Sequence, residues 1–211
     1  MNNPHEAGLY TIGHSLHSSE HFLALAREHA IDMILDVRSS PYSSRAPQFA
    51  RSSMAAWLAD AGIDYLFAGK TLGGRPVDLT LYDEQRASYI RMAQWQPFIA
   101  SLRKAVRMAR GRRVAFACAE GDPLECHRFL LIGRYLHSHG LEVRHILPSS
   151  AIEVHSAGER RLVQILGLGQ SELFHHSNDA VAAAYLLQES RVAYRQPPAA
   201  PTVHNSRADA E

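Results

Sequence analysis

The sequence predicts a three-layer α/β/α fold on a mostly parallel sheet of about five strands, with a C-terminal helical extension. Two observations carry that expectation. Short β-branched and aromatic runs, nearly continuous in apolar character, alternate with longer stretches of helical spacing, as strands buried on both faces do between helices. The runs give way to Gly, Ser or Pro clusters that must be turns and loops.

The first run, Leu9-Tyr10-Thr11-Ile12-Gly13-His14, precedes Ser18, Ser19 and Glu20 and then Phe22, Leu23 and Ala26; strand, loop and capped helix follow in order. Residues 31–38 (IDMILDVR) form a second strand, with Asp36 and Arg38 at its carboxyl end before the loop Ser39-Ser40-Pro41-Tyr42-Ser43-Ser44. Phe49, Met54, Trp57, Leu58 and Ala61 recur at helical spacing up to Gly62, and 63–68 (IDYLFA) is a third strand ahead of a loop over 69–76. Residues 82–109 are predicted mainly helical, as two helices joined near Trp95-Gln96-Pro97. The clearest buried strand is 114–119 (VAFACA); a helix over 129–139 stops at Gly140, and 141–147 (LEVRHIL) supplies another strand. Beyond Pro148 only 159–166 and 179–189 keep helical spacing. The expected organisation is an α/β domain over 1–148, a helical extension over 149–195 packed on it, and a disordered tail over 196–211.

At 211 residues the chain is long enough to bury a core without disulfides or metals. Lys and Arg (22) nearly cancel Asp and Glu (21), so no overall field holds the protein on nucleic acid or an anionic membrane, and anion binding has to be local. No apolar run approaches the roughly 20 residues of a membrane span, and the first residues lack the order of a signal peptide. A cytoplasmic location is therefore expected. There Cys118 and Cys126 remain thiols.

In repeated β-α units, ligands bind beyond the carboxyl ends of the strands. That rule gathers the loops after His14, Arg38, Ala68 and Ala119 into one region. Four motifs fall in or beside these loops: Thr11-Ile12-Gly13-His14-Ser15; Asp36-Val37-Arg38 with Pro41; Leu72-Gly73-Gly74; and Cys118-Ala119-Glu120 with Cys126-His127-Arg128. In this order they resemble the family named domain of unknown function 488, over roughly residues 9–147. The resemblance implies an α/β fold and brings no activity with it, since fold alone supplies none.

Asp122-Pro123-Leu124-Glu125 has the form of a capping box with Pro at the first helical position, which sets Cys126, His127 and Arg128 in the first turn. Free N–H groups there favour an anion. Helical neighbours diverge by about 100°, so His127 and Arg128 are assigned to the ligand and Cys126 to the core. Cys126 as a nucleophile is the alternative. A phosphocysteine mechanism fails, because Leu124 and Ile132 stand where the signature needs Arg. The cysteines form no Cys-x-x-Cys pair, and His14, Cys118, Cys126 and His127 show no recognisable zinc spacing. Gly69-Lys70-Thr71 is not the end of a P-loop, since Asp64 replaces the upstream glycine. Gly73 and Gly74 still permit a tight loop near a ligand, with Lys70 or Arg75 supplying charge. The basic run Arg103, Lys104, Arg107 and Arg110 is read as a solvated helix end rather than a nucleic-acid contact.

The expected catalytic residues are Glu120 as acid or base, assisted by His14 or His127; Arg38, Arg128, Ser15, Lys70, Gly73, Gly74 and Arg75 are the expected substrate contacts. Asp36 either pairs with Arg38 or holds it toward the cleft. These residues describe an enzyme of hydrolase or transferase type acting on a phosphate-bearing or other anionic substrate, such as a nucleotide or nucleic acid, without metal or cofactor. The alternatives are a non-catalytic module binding nucleic acid or an anionic metabolite, and a metal- or thiol-dependent protein using Cys118 and Cys126.

Overall fold

Chain order alone sets out the layers of the computed structural model, which describes residues 7–42, 44–170 and 177–197. Strand β1 (Gly8–Gly13) leads through a cap in which Ser18 accepts from the His21 N–H into helix α1 (Ser19–Glu28), followed by β2 (Met33–Asp36), α2 (Arg51–Asp60), β3 (Asp64–Phe67) and the single turn α3 (Gly69–Leu72). A hairpin, β4 (Tyr82–Asp83) and β5 (Arg86–Ala87), precedes α4 (Tyr89–Gln94) and α5 (Gln96–Met108). Then come β6 (Arg113–Cys118), a π-helical stretch Arg128–Gly133 running into α6 (Arg134–Ser138), β7 (Val143–Ile146), β8 (Ile152–Val154), α7 (His155–Ile165) and α8 (Ser177–Val192).

The main sheet has six strands in the order β3-β2-β6-β1-β7-β8, all parallel except β8, which runs antiparallel to β7. Its central strands are buried on both faces, so alternate residues build two cores. Tyr10, Ile12, Ile34, Ala115 and Ala117 pack with Phe22 and Leu25 of α1 and Met54 and Leu58 of α2. Leu9, Leu35, Val37, Val114, Phe116 and Cys118 pack on the other side with Phe98, Leu102, Phe129 and Leu136.

β6 lies between β1 and β2, whose following helices cover one face, whereas its own following helix covers the other. Chains leaving in opposite directions open a crevice at the carboxyl edge. Register levels the strand ends there, with Gly13 opposite Cys118 and Asp36 opposite Ala117.

Three expectations are corrected. Residues 82–88 are a hairpin rather than a helix start: Glu84 adopts positive φ (55°) in its turn, and residues near the C-terminus add to it, with Ala87 donating to the Tyr194 carbonyl and Gln196 to that of Gln85. The predicted loop 69–76 contains the turn α3. The helix expected from Asp122 is instead a 3-10 turn, Pro123–Glu125, broken at Cys126, whose backbone is extended (φ −141°, ψ 144°). β8 is an additional strand, and α7 and α8 fall where helical spacing predicted them. The tail expected over 196–211 lies outside the described residues from 198 onward.

Candidate functional site

Two groups of side chains approach the crevice from opposite faces of the sheet. On the α1/α2 side, Arg38 binds Asp36 through Nε to Oδ1 (2.8 Å) and Nη2 to Oδ2 (2.6 Å), and Tyr65 donates its hydroxyl to the same Oδ2 (2.7 Å). The pair is buried, so Asp36 neutralises most of the charge of Arg38. Burial opposes the charge on Arg38, and the Asp36 carboxylate outweighs it, holding the guanidinium above its ordinary pKa.

Arg38 Nη1 lies 3.1 Å from His14 Nε2, and His14 Nδ1 lies 2.8 Å from the Ser15 carbonyl. A carbonyl only accepts, so Nδ1 carries the proton and Nε2 accepts from Arg38. Burial and the neighbouring Arg38 push His14 down to about 4. It is a neutral support for Arg38, stacked on Phe49 with ring centroids 4.2 Å apart.

On the other side, Cys118 ends the buried row Val114, Phe116, Cys118 of β6. Asp122 Oδ1 accepts from the Leu124 N–H (2.9 Å) to close the 3-10 turn, and the chain returns at Cys126. Cys126 caps the next helix: its sulfur accepts from the Arg128 N–H (3.5 Å), and its carbonyl accepts from the Phe129 and Leu130 N–H groups. Glu120 Oε2 lies 3.0 Å from each sulfur, and His127 Nδ1 lies 3.7 Å from Cys118 Sγ and 3.6 Å from Cys126 Sγ. His127 Nε2 donates to the Leu72 carbonyl (3.0 Å).

These contacts separate the two thiols. The hydrogen bond shared with Cys126, together with burial, pushes Cys118 well above its ordinary pKa. Burial works against ionisation at Cys126 too, but the Cys118 thiol, Arg128 and His127 outweigh it and hold Cys126 well below. The resulting charge on Cys126 raises His127 against its own burial. Glu120 is exposed as a residue at the cavity wall, and its Oε2 reaches both sulfurs, where burial and Cys126 raise its pKa. Among the described residues no cation pairs with it.

The two groups meet in one open cavity of about 440 Å³. Of the residues expected to contact substrate or act in catalysis, His14, Arg38, Gly74, Arg75, Glu120 and His127 line it. Ser15, Lys70, Gly73 and Arg128 do not. Ser15 sits in the turn after β1 with positive φ (47°), Lys70 is exposed on α3, and Gly73 is packed against Ser39. Arg128, expected at the ligand, is fully buried and donates from both Nη atoms to the carbonyls of Glu120 and Gly121, holding the loop. Cys126, expected toward the core, is buried in it and, because its backbone is extended, also borders the cavity floor.

The preferred sequence reading left Cys118 and Cys126 out of the pocket, keeping them for the metal- or thiol-dependent alternative, and missed Ser39, Ser40, Tyr89, Val192 and Tyr194 in the wall. The spacing of the cysteines carried a signal only once the loop between them was known to fold back. Tyr194 comes from the C-terminal segment, with the Arg75 guanidinium 4.8 Å from its ring centroid. Two glycines make the convergence sterically possible. A Cβ at Gly13 would strike the Glu120 carbonyl, and one at Gly74 would press on the His127 ring at 3.0 Å.

Sheet order and crevice together define an α/β protein with a polar pocket at its switch point. The chain belongs to the family described as domain of unknown function DUF488, whose model matches residues 18–135. No curated protein and no solved structure matches the chain. Among the described residues no helix is long and apolar enough to cross a membrane.

Proposed function

We propose that the protein is an enzyme that hydrolyses or transfers a group of a phosphate-bearing or similarly anionic substrate, of nucleotide or nucleic-acid kind, in the pocket between β1 and β6. The observation that carries this reading is the placement of the Glu120 carboxylate, unpaired with any described cation, in the same cavity as Arg38 and Arg75. A carboxyl between buried sulfurs, raised above the ordinary carboxylate pKa by burial and Cys126, is suited to exchange a proton with a bound substrate. Arg75 supplies the exposed positive charge, Arg38 offers its Nη1 edge, and the wall residues Ser39, Ser40 and Gly74 complete a polar cradle. His14 acts through Arg38, fixing its orientation, and Arg128 fixes the loop that carries Glu120. The reading places the protein in the cytoplasm, where its two free thiols stay reduced.

The test pairs calorimetric binding of inorganic pyrophosphate with turnover of phosphomonoesters, phosphodiesters and nucleoside triphosphates. Glu120→Gln is expected to abolish turnover and to leave or improve pyrophosphate binding; Arg75→Ala is expected to weaken binding by about tenfold. Pyrophosphate binding with no turnover of any of these by the wild-type protein would refute the enzyme and leave a non-catalytic binding module.

A further inference from the structure

The floor of the pocket carries a donor set that the acid–base reading does not use. Cys118 Sγ, Cys126 Sγ and His127 Nδ1 lie within 4.8 Å of one another, all on buried residues. The sulfur to Nδ1 separations are 3.7 and 3.6 Å. On a tetrahedral zinc ion, with bonds of about 2.3 Å to sulfur and about 2.0 Å to nitrogen, two such donors stand about 3.6 Å apart. The orientation of the ring agrees. Nε2 donates to the Leu72 carbonyl at 3.0 Å, so neutral His127 presents its Nδ1 lone pair to the sulfurs. A carbonyl accepting from the second nitrogen is how metal-bound imidazoles are held.

We infer that Cys118, Cys126 and His127 bind one divalent ion of the zinc class, with a fourth position open to the pocket beside Glu120. Two thiolates and an imidazole select a borderline-soft ion over magnesium or calcium. The thiolates balance the charge of the ion, their protons leaving to solvent as it binds. Three protein ligands with one open position is the pattern of catalytic rather than structural zinc sites. An ion held there would act as a Lewis acid on a group bound in that position, beside which Glu120 Oε2 stands 3.0 Å from each sulfur. That last step rests on the pocket being the reaction site, whereas metal binding rests on donor geometry alone.

Cobalt(II) titration of the reduced full-length protein tests the inference. A thiolate-to-cobalt charge-transfer band saturating at one equivalent, and bleached by zinc, is expected. Cys118→Ser and Cys126→Ser are each expected to lose about half of the band's intensity and about a hundredfold in affinity, while Glu120→Gln keeps both within about tenfold. No band in the folded wild-type protein overturns the inference whether or not the cysteine variants fold, as does a band of undiminished intensity and affinity in folded Cys126→Ser. The two readings fail separately. Cobalt binding without pyrophosphate binding removes the substrate class and keeps the metal; pyrophosphate binding with no cobalt band does the reverse.

Discussion

Acid should destabilise this protein at a pH where its carboxylates are still ionised, because a buried histidine chain cannot accept a proton. Thr11 Oγ1 lies 2.8 Å from His145 Nδ1, His145 Nε2 lies 3.0 Å from His155 Nδ1, His155 Nε2 lies 2.8 Å from the Tyr185 hydroxyl, and Tyr185 donates to Glu159 Oε1 (2.9 Å). With the last donor fixed, each ring must donate from Nε2 and accept at Nδ1, and a proton added to His155 Nδ1 would face the His145 Nε2–H. Burial, with His137 and Arg134 nearby, lowers His155 from 6.5 to about 3; His145 is also pushed well below its ordinary value, first by burial. Unfolding therefore takes up protons, so stability is fully present above pH 6.5 and falls as pH drops toward the folded pKa. A shift of that size corresponds to about 5 kcal/mol for His155, and the shift at His14 to about 3 kcal/mol, against a typical total of about 5–15 kcal/mol. Urea unfolding followed by the fluorescence of Trp57 and Trp95 should show stability falling by about 1.4 kcal/mol per pH unit for each such histidine between pH 6 and 5. His155→Phe, which keeps a ring against Phe129, should be less stable at pH 8 and lose part of that slope. Equal stability at pH 8 and pH 5, or an unchanged slope in His155→Phe, would refute the reasoning.

Gly13→Ala should cost about 2 kcal/mol and displace the Glu120 loop, since the new methyl meets backbone rather than a movable side chain; thermal melts and loss of pyrophosphate binding would show it. Arg128→Met should cost about 2 kcal/mol in urea unfolding by leaving the part-buried carbonyls of Glu120 and Gly121 without their donors. Asp36→Asn, which leaves the buried Arg38 without its counter-charge, should cost about 3 kcal/mol, more than the loss of any exposed ion pair such as Arg91–Asp83.

The strands were legible because residues such as Val114, Phe116 and Ile34 are buried on both faces and need no partner to be recognised. So was the gathering of His14, Arg38 and Glu120 at one edge, which follows from parallel topology alone. The hairpin at Tyr82 was not legible, since the bonds that anchor it go to Tyr194 and Gln196, more than a hundred residues away. The break at Cys126 was hidden for a related reason. A capping pattern marks where a helix begins but not whether it survives its first turn. Assigning Arg128 to the ligand from helical angles failed to allow for that break; Cys126, assigned to the core, is buried in it and borders the pocket as well. The histidine chain joins β1, β7, α7 and α8, and no local periodicity announces it.

The C-terminal contribution to the pocket has a consequence for how this molecule can change. Val192 and Tyr194 stand outside the family-matched stretch 18–135, whereas Cys118, Glu120, Cys126 and His127 all lie inside it. On the proposed function, the acid–base floor and part of the entrance thus come from separate stretches of the chain. Exchanging the residues after α8 could re-shape the entrance for a different guest while the reactive floor keeps its geometry.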